Sequence, residues 1–335
     1  MINNKSILIT GGTGSFGKKF TEMILSTYNP KKIIIYSRDE FKQDGMKKDF
    51  TQKFPEKVSK LRFFIGDVRD KERLDRAFKG VDYVIHAAAM KQVPSCEYNP
   101  FEAIKTNING AQNIVDVALN RDVKKVVALS TDKAVNPINL YGGTKLVSDK
   151  LFVSANAYRG EEGTIFSVVR YGNVSGSRGS IIPFFKELIS KGGENELPIT
   201  DTRMTRFWMT LDDAVNLVVK ALEESKGGET YVYKNPSYKV TDIAEAMNPG
   251  GKIKVVGIRE GEKLHECMIT SDDSRGTYDY GDHYIIYPNY IWWNKDNYFK
   301  EGGTLIKDGW EYNSGTNDKW LDVESLRDMI SKLDI

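Results

Sequence analysis

The sequence predicts an α/β fold, a Rossmann-type doubly wound parallel sheet followed by a smaller C-terminal lobe. Three observations lead to this prediction. Short apolar runs alternate with helical stretches through the first half of the chain, as they do in βαβ units. These runs are dense in Ile, Val and Leu, which is typical of strands buried on both faces. A glycine-rich turn directly follows the first run.

Six strands are predicted in the first half, at residues 6–10, 32–36, 61–66, 83–87, 125–130 and 165–171. From about residue 180 the alternation loosens into a helical stretch over 180–191, a turn at 192–193, and helices capped by Thr210 and Thr241. The tail beyond about residue 280 is rich in Trp, Tyr, Asn and Gly, and we expect an irregular, packed extension there.

Composition narrows the function classes. The 335 residues are 40% hydrophobic, and 48 Lys and Arg against 46 Asp and Glu give a net charge of +2. This balance is not typical of nucleic-acid or acidic-membrane binding, so we expect a small-molecule ligand. The distant Cys96 and Cys267 indicate a reducing compartment, and His86, His265 and His283 lack metal-ligand spacing, so no metal site is predicted. With no signal-peptide pattern and no bilayer-spanning apolar run, the sequence predicts a cytoplasmic protein.

The first predicted strand leads directly into a glycine-rich turn, after which a helical stretch begins. In this position Gly11 permits a tight turn, Gly14 lets a pyrophosphate approach the backbone, and Gly17 lets the helix pack against the strand. The N–H groups at the start of the helix then face the phosphates. We therefore predict a dinucleotide site whose turn residues are Gly11, Thr13, Gly14, Ser15, Phe16 and Gly17.

The end of the second strand bears on the choice of dinucleotide. Arg38 and Lys42 suit the 2′-phosphate of NADP, and we predict NADP as the cofactor. In the alternative interpretation both are solvated charges, and Asp39 binds the 2′-hydroxyl of NAD. The residues that follow the third and fourth strands are predicted to line the adenine and ribose crevice, and they are Asp67, Val68, Ala87, Ala88 and Ala89.

A Tyr and a Lys lie four residues apart at the start of a predicted helix, which places Tyr141 and Lys145 on one face. The ammonium is expected to lower the pKa of the phenol. Tyr141 would then act as a base on a hydroxyl whose carbon gives hydride to the nicotinamide. Gly142 and Gly143 follow the Tyr, and they either allow close approach of the cofactor or loosen the site.

Longer strings resemble one family, the extended short-chain dehydrogenases, and within them the inverting UDP-N-acetylglucosamine 4,6-dehydratases that begin pseudaminic acid synthesis. The resemblance covers nearly the whole chain, and several strings are too long to arise by accident. They are Gly11-Gly-Thr-Gly-Ser-Phe-Gly17, Tyr36-Ser-Arg-Asp39, Gly66-Asp-Val-Arg-Asp70, His86-Ala-Ala-Ala-Met-Lys91, Ser130-Thr-Asp-Lys-Ala-Val-Asn-Pro137, Arg170-Tyr-Gly-Asn173, Gly176-Ser-Arg-Gly179, Ile199-Thr-Asp-Thr-Arg-Met-Thr-Arg-Phe-Trp208 and Arg259-Glu-Gly-Glu-Lys-Leu-His265.

The resemblance implies a dehydratase that holds NADP as an internal redox shuttle. Once C4 of the sugar is a ketone, Lys133 would take the C5 proton and Asp132 would protonate the departing C6 oxygen. Hydride would return from NADPH to C6, and C5 would be reprotonated from the opposite face. Lys133 must be neutral for part of this cycle, so we expect burial and the charges of Lys145 and the nicotinamide to depress its pKa. The alternative is a plain ion pair between Asp132 and Lys133.

The same resemblance assigns further contacts and the organisation of the chain. Thr131 would hydrogen-bond the sugar near C4. Residues 1–179 would form the NADP-binding domain with the catalytic residues, and residues 180–335 the smaller UDP-sugar lobe with the C-terminal extension. Helices within 99–119 and 141–158 would form a homo-oligomer, from dimer to hexamer. The substrate-facing residues would be Lys91, Asn173, Met204, Arg206, Arg259 and Glu262, of which Lys91 also lies beside the cofactor.

Three alternatives stay open. A nucleotide-sugar 4-epimerase and a retaining 4,6-dehydratase resemble the chain in fold, but the retaining enzymes carry Asp-Glu at the position of Asp132-Lys133 and the epimerases lack this acid/base pair. Arg206 and Arg259 are expected from the resemblance to bind the diphosphate of UDP, with surface ion pairs as the alternative. A non-catalytic NADP-binding sensor is the third alternative, although such proteins typically lack part of the Tyr-Lys pair that this sequence retains.

Overall fold

The computed structural model describes residues 1–160, 162–176, 180–191, 196–293 and 299–333, and its centre is a ten-stranded sheet. In chain order the strands of the molecule are β1 Ser6–Thr10, β2 Lys32–Ser37, β3 Leu61–Ile65, β4 Tyr83–His86, β5 Lys125–Thr131, β6 Ile165–Tyr171, β7 Glu196–Ile199, β8 Thr205–Phe207, β9 Thr230–Tyr233, β10 Ser237–Lys239, β11 Lys252–Val255, β12 Cys267–Ile269, β13 Thr277–Asp279, β14 His283–Ile286, β15 Thr304–Leu305 and β16 Tyr312–Asn313.

The central sheet has the order β15-β13-β14-β9-β6-β5-β4-β1-β2-β3. From β9 through β3 every neighbouring pair is parallel, and β14, β13 and β15 extend the sheet with antiparallel pairs. The segment β3-β2-β1-β4-β5-β6 is the doubly wound order of dinucleotide-binding folds, with its switch point between β1 and β4. The predicted fold class is therefore confirmed.

Helices cover both faces of the sheet. In chain order they are α1 Ser15–Thr27, α2 Glu40–Lys53, α3 Lys71–Ala77, α4 Val93–Tyr98, α5 Pro100–Ile104, α6 Gly110–Asn120, α7 Leu140–Ser154, α8 Ile181–Ser190, α9 Leu211–Glu224, α10 Val240–Met247 and α11 Val323–Ser331. On β1, Ile7 and Ile9 pack with α1, α2 and α9, whereas Leu8 packs with α3, α6 and α7. Successive side chains of a strand point to opposite faces, so a fully apolar strand fits a sheet covered on both sides.

A smaller lobe packs around α8, α10 and α11. Its core joins Phe185, Ile243 and Leu326 to residues of β7 and β10 and to the two residues that flank β8, Met204 and Trp208. Two short sheets complete it, β7 with β11 and β8 with β10. The helix α9, which follows β8 and packs in the core of the central sheet, begins with a capping box, in which the Thr210 hydroxyl accepts from the Asp213 N–H and the Asp213 carboxylate accepts from the Thr210 N–H.

The predicted strands match the observed ones to within one residue at each end. The Thr210 cap is confirmed, but the Thr241 cap is wrong, because α10 begins at Val240 after Lys239. The tail is more regular than predicted, since β14 joins the central sheet and α11 packs in the smaller lobe. The predicted turn at 192–193 lies outside the described residues.

The chain returns to the central sheet after residue 180, because β9 pairs with β6 and β14 pairs with β9. The division of the chain at residue 179, into an NADP-binding domain and a smaller UDP-sugar lobe, concerns which ligand each part binds, and it stays a prediction. Within the residues that the structure describes, every helix is too short or too polar to cross a membrane.

Candidate active site

The turn after β1 is a cradle of backbone atoms. Gly11 has φ +66°, a conformation that favours glycine, and a Cβ placed on it would lie 3.0 Å from the carbonyl carbon of Ala87. A Cβ on Gly14 would lie 3.2 Å from the Gly11 oxygen. The helix α1 then starts at Ser15 with Gly14 as its N-cap, without a side-chain cap and without an acidic residue in its first turn. Its first N–H groups suit an anionic ligand such as a pyrophosphate, so these residues fit a dinucleotide.

A buried hydrogen-bond network fixes this turn against the end of β4. The Thr10 hydroxyl lies 2.9 Å from Nδ1 of His86 and accepts from the N–H groups of Ala87 and Ala88 at 3.2 Å. Burial, and secondarily the charge of Lys145, lowers the pKa of His86 to about 3. His86 is therefore a neutral packing residue.

The four charged residues predicted near the adenosine ribose, Arg38, Asp39, Lys42 and Asp67, form ion pairs with one another and with Arg69. Asp39 caps α2 by accepting from the Lys42 N–H at 3.0 Å, and its carboxylate lies 2.9 Å from the Lys42 ammonium. Asp67 accepts two side-chain bonds from Arg69, at 3.0 and 2.8 Å. The side chain of Arg38 is 63% exposed and lies 3.8 Å from Asp67. Of the cations in this group, Arg38 is thus the most available to bind a ligand.

The remaining predicted lining residues divide between crevice and core. Val68 is buried in the core beneath α6, where its methyl group approaches Gly110. Ala87 and Ala88 contribute their backbone to the turn, as described above, and Ala89 is exposed beyond β4. Asn107 fixes the next residue, Met90, through its amide, and it also donates to the Thr144 hydroxyl on α7.

The strand β5 ends in a buried charged corner. Thr131 closes the strand, and a 3-10 turn, Asp132–Ala134, follows it. The Asp132 side chain is 1% exposed, and its Oδ1 accepts from the Thr131 hydroxyl at 2.8 Å and from the Lys133 ammonium at 3.0 Å. The Lys133 ammonium also donates to Oδ1 of Asn173 at 3.1 Å, just beyond β6. The predicted Thr131, Asp132, Lys133 and Asn173 therefore meet.

The helix α7 lies directly against this corner. Its N-cap, Asn139, accepts from the Gly142 N–H at 2.8 Å and donates to the Gly261 carbonyl oxygen. A Cβ on Gly142 would collide with the Lys133 carbonyl oxygen, whereas the Gly143 position faces open space. Gly142 is therefore needed for the close approach of α7 to the corner, and Gly143 is not.

Tyr141 and Lys145 are both buried on the inner face of α7, as their spacing predicts. Burial raises the pKa of Tyr141 to about 12, and the opposing influences are the charge of Lys133 and a hydrogen bond with Thr131. The expected lowering by Lys145 is thus not seen, because burial outweighs the opposing influences on the phenol. Burial lowers the pKa of Lys145, and the charge of Asp149 opposes this shift.

The pKa of Lys133 moves against expectation. Burial acts to lower it, as predicted, but the negative charges of Asp132 and Glu266 outweigh burial and raise this pKa above its usual value. The predicted depression is therefore wrong. Asp132 shows the matching effect, since the charge of Lys133 and hydrogen bonds from Thr131 and Lys133 outweigh burial and lower the pKa of its carboxyl. The two residues form an ion pair.

Arg206 lies behind the corner with its guanidinium turned into the protein. Nη1 donates to the carbonyl oxygens of Thr205 and Leu264 at 2.8 and 3.0 Å, and Nη2 donates to that of Lys263 at 3.1 Å. Nε lies 3.4 Å from Oε1 of Glu266. This placement is neither the predicted contact with a diphosphate nor a surface ion pair.

The other predicted substrate residues are spread over both parts of the chain. Met204 is 1% exposed in the core of that lobe, which favours a packing role. Arg259 is exposed, and its N–H donates to Glu262, whose carboxylate lies 3.8 Å from Arg206. Lys91 is exposed as a residue, but desolvation of its ammonium and the charge of Lys133 lower its pKa. The predicted string at 176–179 has residues 177–179 outside the described part of the chain.

A sequence profile described as polysaccharide biosynthesis protein matches residues 7–288. The chain belongs to this family. A relative from Campylobacter jejuni, a UDP-N-acetylglucosamine 4,6-dehydratase (inverting), is 56% identical over 336 residues, which cover 99% of this chain and 98% of the relative. The resemblance predicted from the motifs is thereby confirmed.

Two further members show how wide the similarity is. A UDP-glucose 4-epimerase from Rickettsia canadensis is 41% identical over 340 residues, covering 99% of this chain and 97% of the relative. The X-ray structure of Pen from Bacillus thuringiensis has a TM-score of 0.88 and 38% identity, and the match covers 99% of this chain and 98% of that one. The similarity to these two proteins thus extends over nearly the whole chain.

Two buried carboxylates of this family member were missed by sequence reasoning. Glu266 follows directly after the last motif string, and Asp149 lies four residues beyond Lys145, on the same face of α7. Asp149 accepts a hydrogen bond from the Ser130 hydroxyl at 2.5 Å, and burial raises its pKa. The helical spacing of Lys145 and Asp149 was a usable signal for one of them. Nothing local marked Glu266 as a neighbour of Lys133.

Proposed function

We propose that this protein is a C5-inverting UDP-N-acetylglucosamine 4,6-dehydratase, an NADP-dependent hydro-lyase. Its product is UDP-2-acetamido-2,6-dideoxy-β-L-arabino-hexos-4-ulose, the product of the first step of pseudaminic acid synthesis for glycan or flagellin modification. The single observation that carries the proposal is the Asp132–Lys133 ion pair, 3.0 Å apart, at the end of β5 and beside Tyr141, with the Asp132 side chain 1% exposed and the Lys133 side chain 22% exposed. The 56% identity to an inverting dehydratase over 99% of the chain supports the same reaction.

The glycine turn and the start of α1 would hold the pyrophosphate of the cofactor, and Arg38 favours the 2′-phosphate of NADP over NAD. Asp39 supports this choice because its carboxylate already caps α2 and pairs with Lys42. When bound, the nicotinamide supplies the hydride chemistry, accepting hydride from C4 and returning it to C6.

Tyr141 begins the reaction by taking the proton of the C4 hydroxyl. Its pKa is raised by burial, so it needs the nearby positive charge of Lys133 and the hydrogen bond with Thr131 to become a base. Lys145, buried on the same face of α7, adds a second cation once the substrate and cofactor lie against it. Thr131 stays within reach of the sugar near C4.

The ion pair of Asp132 and Lys133 already contains the proton that the elimination needs. Transfer of one proton from the Lys133 ammonium to the Asp132 carboxylate, over 3.0 Å, gives a neutral amine and a carboxylic acid. The amine then removes the C5 proton, and the acid protonates the departing C6 oxygen as water leaves. The raised pKa of Lys133 and the lowered pKa of Asp132 oppose this transfer, so the neutral pair is a minor state from which the elimination proceeds.

Reprotonation of C5 from the opposite face gives the inverted product, and the face is set by how the substrate lies between the two lobes. Lys91, Asn173, Arg259 and Glu262 are the proposed substrate contacts. Arg206 is proposed to act on the substrate only through the corner it supports, because its donors are directed at protein acceptors.

A 4-epimerase is the second candidate, since a relative of that name is 41% identical over nearly the whole chain. An epimerase needs the C4 oxidation and its reversal, but it has no use for an acid and a base aimed at C6 and C5. The buried pair therefore favours the dehydratase.

We propose a homo-oligomer in the cytoplasm. The segment that carries α4 and α5 exposes Tyr98 and Phe101, and α7 with the turn that follows it exposes Val147 and Tyr158. Apolar side chains on neighbouring helices suit the contact of two copies.

The test is to incubate the purified protein with UDP-N-acetylglucosamine in deuterated water without added NADP. The proposal predicts loss of one water, deuterium at C5 and a 4-keto sugar of L-configuration, observed by mass spectrometry and proton NMR. An unchanged mass with inversion at C4 would establish the epimerase. An inert substrate with firmly bound cofactor would favour the sensor.

A further inference from the structure

Glu266 is a buried carboxylate with a fixed main chain. It is 3% exposed and directly precedes β12. Its N–H donates to the Ser314 hydroxyl at 2.9 Å, and its carbonyl oxygen accepts from the Ser314 N–H at 2.8 Å. The Ser314 hydroxyl in turn lies 2.8 Å from that of Thr205, beside Arg206. The strand that carries Arg206 and the segment that carries Glu266 are therefore tied together.

The side chain of Glu266 reaches the catalytic corner. Its Oε1 lies 3.4 Å from Nε of Arg206 and 3.7 Å from the ammonium of Lys133. Its Oε2 is buried and finds no hydrogen-bond partner among the described residues. A carboxylate oxygen left in this state costs free energy, so a purely structural role explains it poorly.

The charges around this position balance. Asp132 and Glu266 contribute two negative charges, and Lys133 and Arg206 contribute two positive ones. Arg206 would keep its three carbonyl acceptors without Glu266. Lys133 would keep Asp132, but it would lose one of the two carboxylates that surround its ammonium.

We infer that Glu266 is a positioning residue that holds the Lys133 ammonium between two carboxylates and thereby sets the pH at which Lys133 can act as the C5 base. The inference rests on the proposed function. Oε1 of Glu266 is beyond hydrogen-bond distance from Lys133, so Glu266 acts on Lys133 through its charge and does not touch the reacting atoms.

The sign of the effect follows from the groups that face Glu266. Burial and the charge of Asp132 raise the pKa of Glu266, while the cations around it oppose the shift. An ionised Glu266 stabilises the ammonium of Lys133, so its removal makes Lys133 lose its proton at lower pH. The charged and titratable groups around Glu266 are Asp132, Lys133, Arg206, Tyr238 and Lys263.

The test isolates the C5 step from the redox steps. The 4-keto-6-deoxy sugar that keeps the C5 configuration of the substrate, so that its C5–H lies on the face that Lys133 serves, is given to each variant in deuterated water. Deuterium entry at C5 is followed by NMR from about pH 7 to 12, a range that extends above the usual lysine pKa of about 10.4. In this exchange the C5–H bond breaks, its proton goes to the Lys133 amine, its electron pair moves to the C4 carbonyl oxygen, and a solvent-derived deuteron returns to C5.

For Glu266→Gln, the midpoint of the exchange rate against pH is expected to move about one unit lower, because a unit charge within 4 Å is removed. Glu266→Asp keeps the negative charge but places it farther from the Lys133 ammonium, so its midpoint is expected to fall between those of Glu266→Gln and the wild type. The KM for UDP-N-acetylglucosamine should change less than about threefold. Glu311→Gln, an exposed carboxylate close to Ser314 in sequence, is the matched control and should keep the wild-type midpoint.

A wild-type midpoint in a folded Glu266→Gln protein would overturn the inference, and so would equal shifts in the Gln and Asp variants. If Glu266→Gln fails to fold, Glu266→Asp alone decides, since an unshifted midpoint contradicts the role. Wild-type protein that neither dehydrates the substrate nor exchanges C5 would refute the proposed function instead, so the two failures are distinguishable.

Discussion

The glycine turn after β1 and the charged corner after β5 lie at the same edge of one sheet, but the turn is formed by backbone atoms and the corner by side chains. The turn consists of backbone atoms whose positions are set by neighbours in the sequence, such as Gly11 and Gly14. The corner consists of side-chain charges that arrive from β5, β6, β8 and the segment before β12. A binding cradle can be made locally, whereas the proton balance of an acid/base pair depends on the whole fold.

The largest expected effect comes from a mutation that changes the charged corner and leaves the glycine turn as it is. Asp132→Asn should lower kcat about 10³-fold, because the amide cannot protonate the C6 oxygen. Cofactor affinity should stay within about threefold of the wild type, since the turn does not depend on this charge. Steady-state assays and cofactor titration check both results, with Asp116→Asn, a half-buried carboxylate of α6 paired with Lys71, as the control. A parallel loss of cofactor affinity would mean that the two regions are not independent.

The paired glycines of α7 test how tightly the helix must approach the corner. Gly142→Ala should destabilise the protein by about 1–3 kcal/mol, because its Cβ would meet the Lys133 carbonyl oxygen. Gly143→Ala should stabilise it by about 0.5–1 kcal/mol, since that position is open and alanine favours a helix. Denaturant unfolding of both variants measures the contrast. Equal effects would show that the approach is looser than described.

The turn has its own titratable group, His86. Burial lowers its pKa to about 3 from a usual value near 6.5, so the folded protein keeps it neutral. Its contribution to stability is complete above pH 6.5 and is lost as pH falls toward 3. Between pH 6.5 and 5 the loss is about 2 kcal/mol. Urea unfolding of the wild type and His86→Gln at these two pH values should show a shallower dependence in the variant, and an identical dependence would contradict a buried neutral His86.

The smallest expected effect concerns the choice of cofactor. Arg38→Ala should weaken NADP binding about tenfold, the loss of one charged contact to phosphate, and leave NAD binding unchanged. Displacement titrations with both cofactors measure the two affinities, and Arg76→Ala, an exposed arginine on α3, is the control. Equal affinities of Arg38→Ala and the wild type for NADP would favour the alternative in which Asp39 binds a 2′-hydroxyl.

The parts that the sequence predicted well are those determined locally. The six parallel strands follow from apolar runs, and the turn follows from the spacing of Gly11, Gly14 and Gly17. The helix start at Thr210 follows from its capping box with Asp213. In each case the residues that make the structure are near one another in the chain.

The parts that it predicted poorly depend on distant contacts. The pKa of Lys133 was expected to fall by burial, and it rises because the charge of Asp132, together with that of Glu266 from far downstream, outweighs burial. Arg206 was expected at a ligand, and it lies among the carbonyl groups of the 263–264 segment. The tail was expected to be irregular, but β14 finds a partner in β9. No local pattern encodes these pairings.

The central claim is that one site oxidises C4, removes water through the Asp132–Lys133 pair and reduces C6. The most direct test uses UDP-N-acetylglucosamine that carries deuterium at C4, with no added cofactor, and locates the label in the product by NMR. The account predicts deuterium at C6 of a dehydrated 4-keto sugar. Deuterium retained at C4 of an undehydrated sugar, or released to solvent, would contradict it.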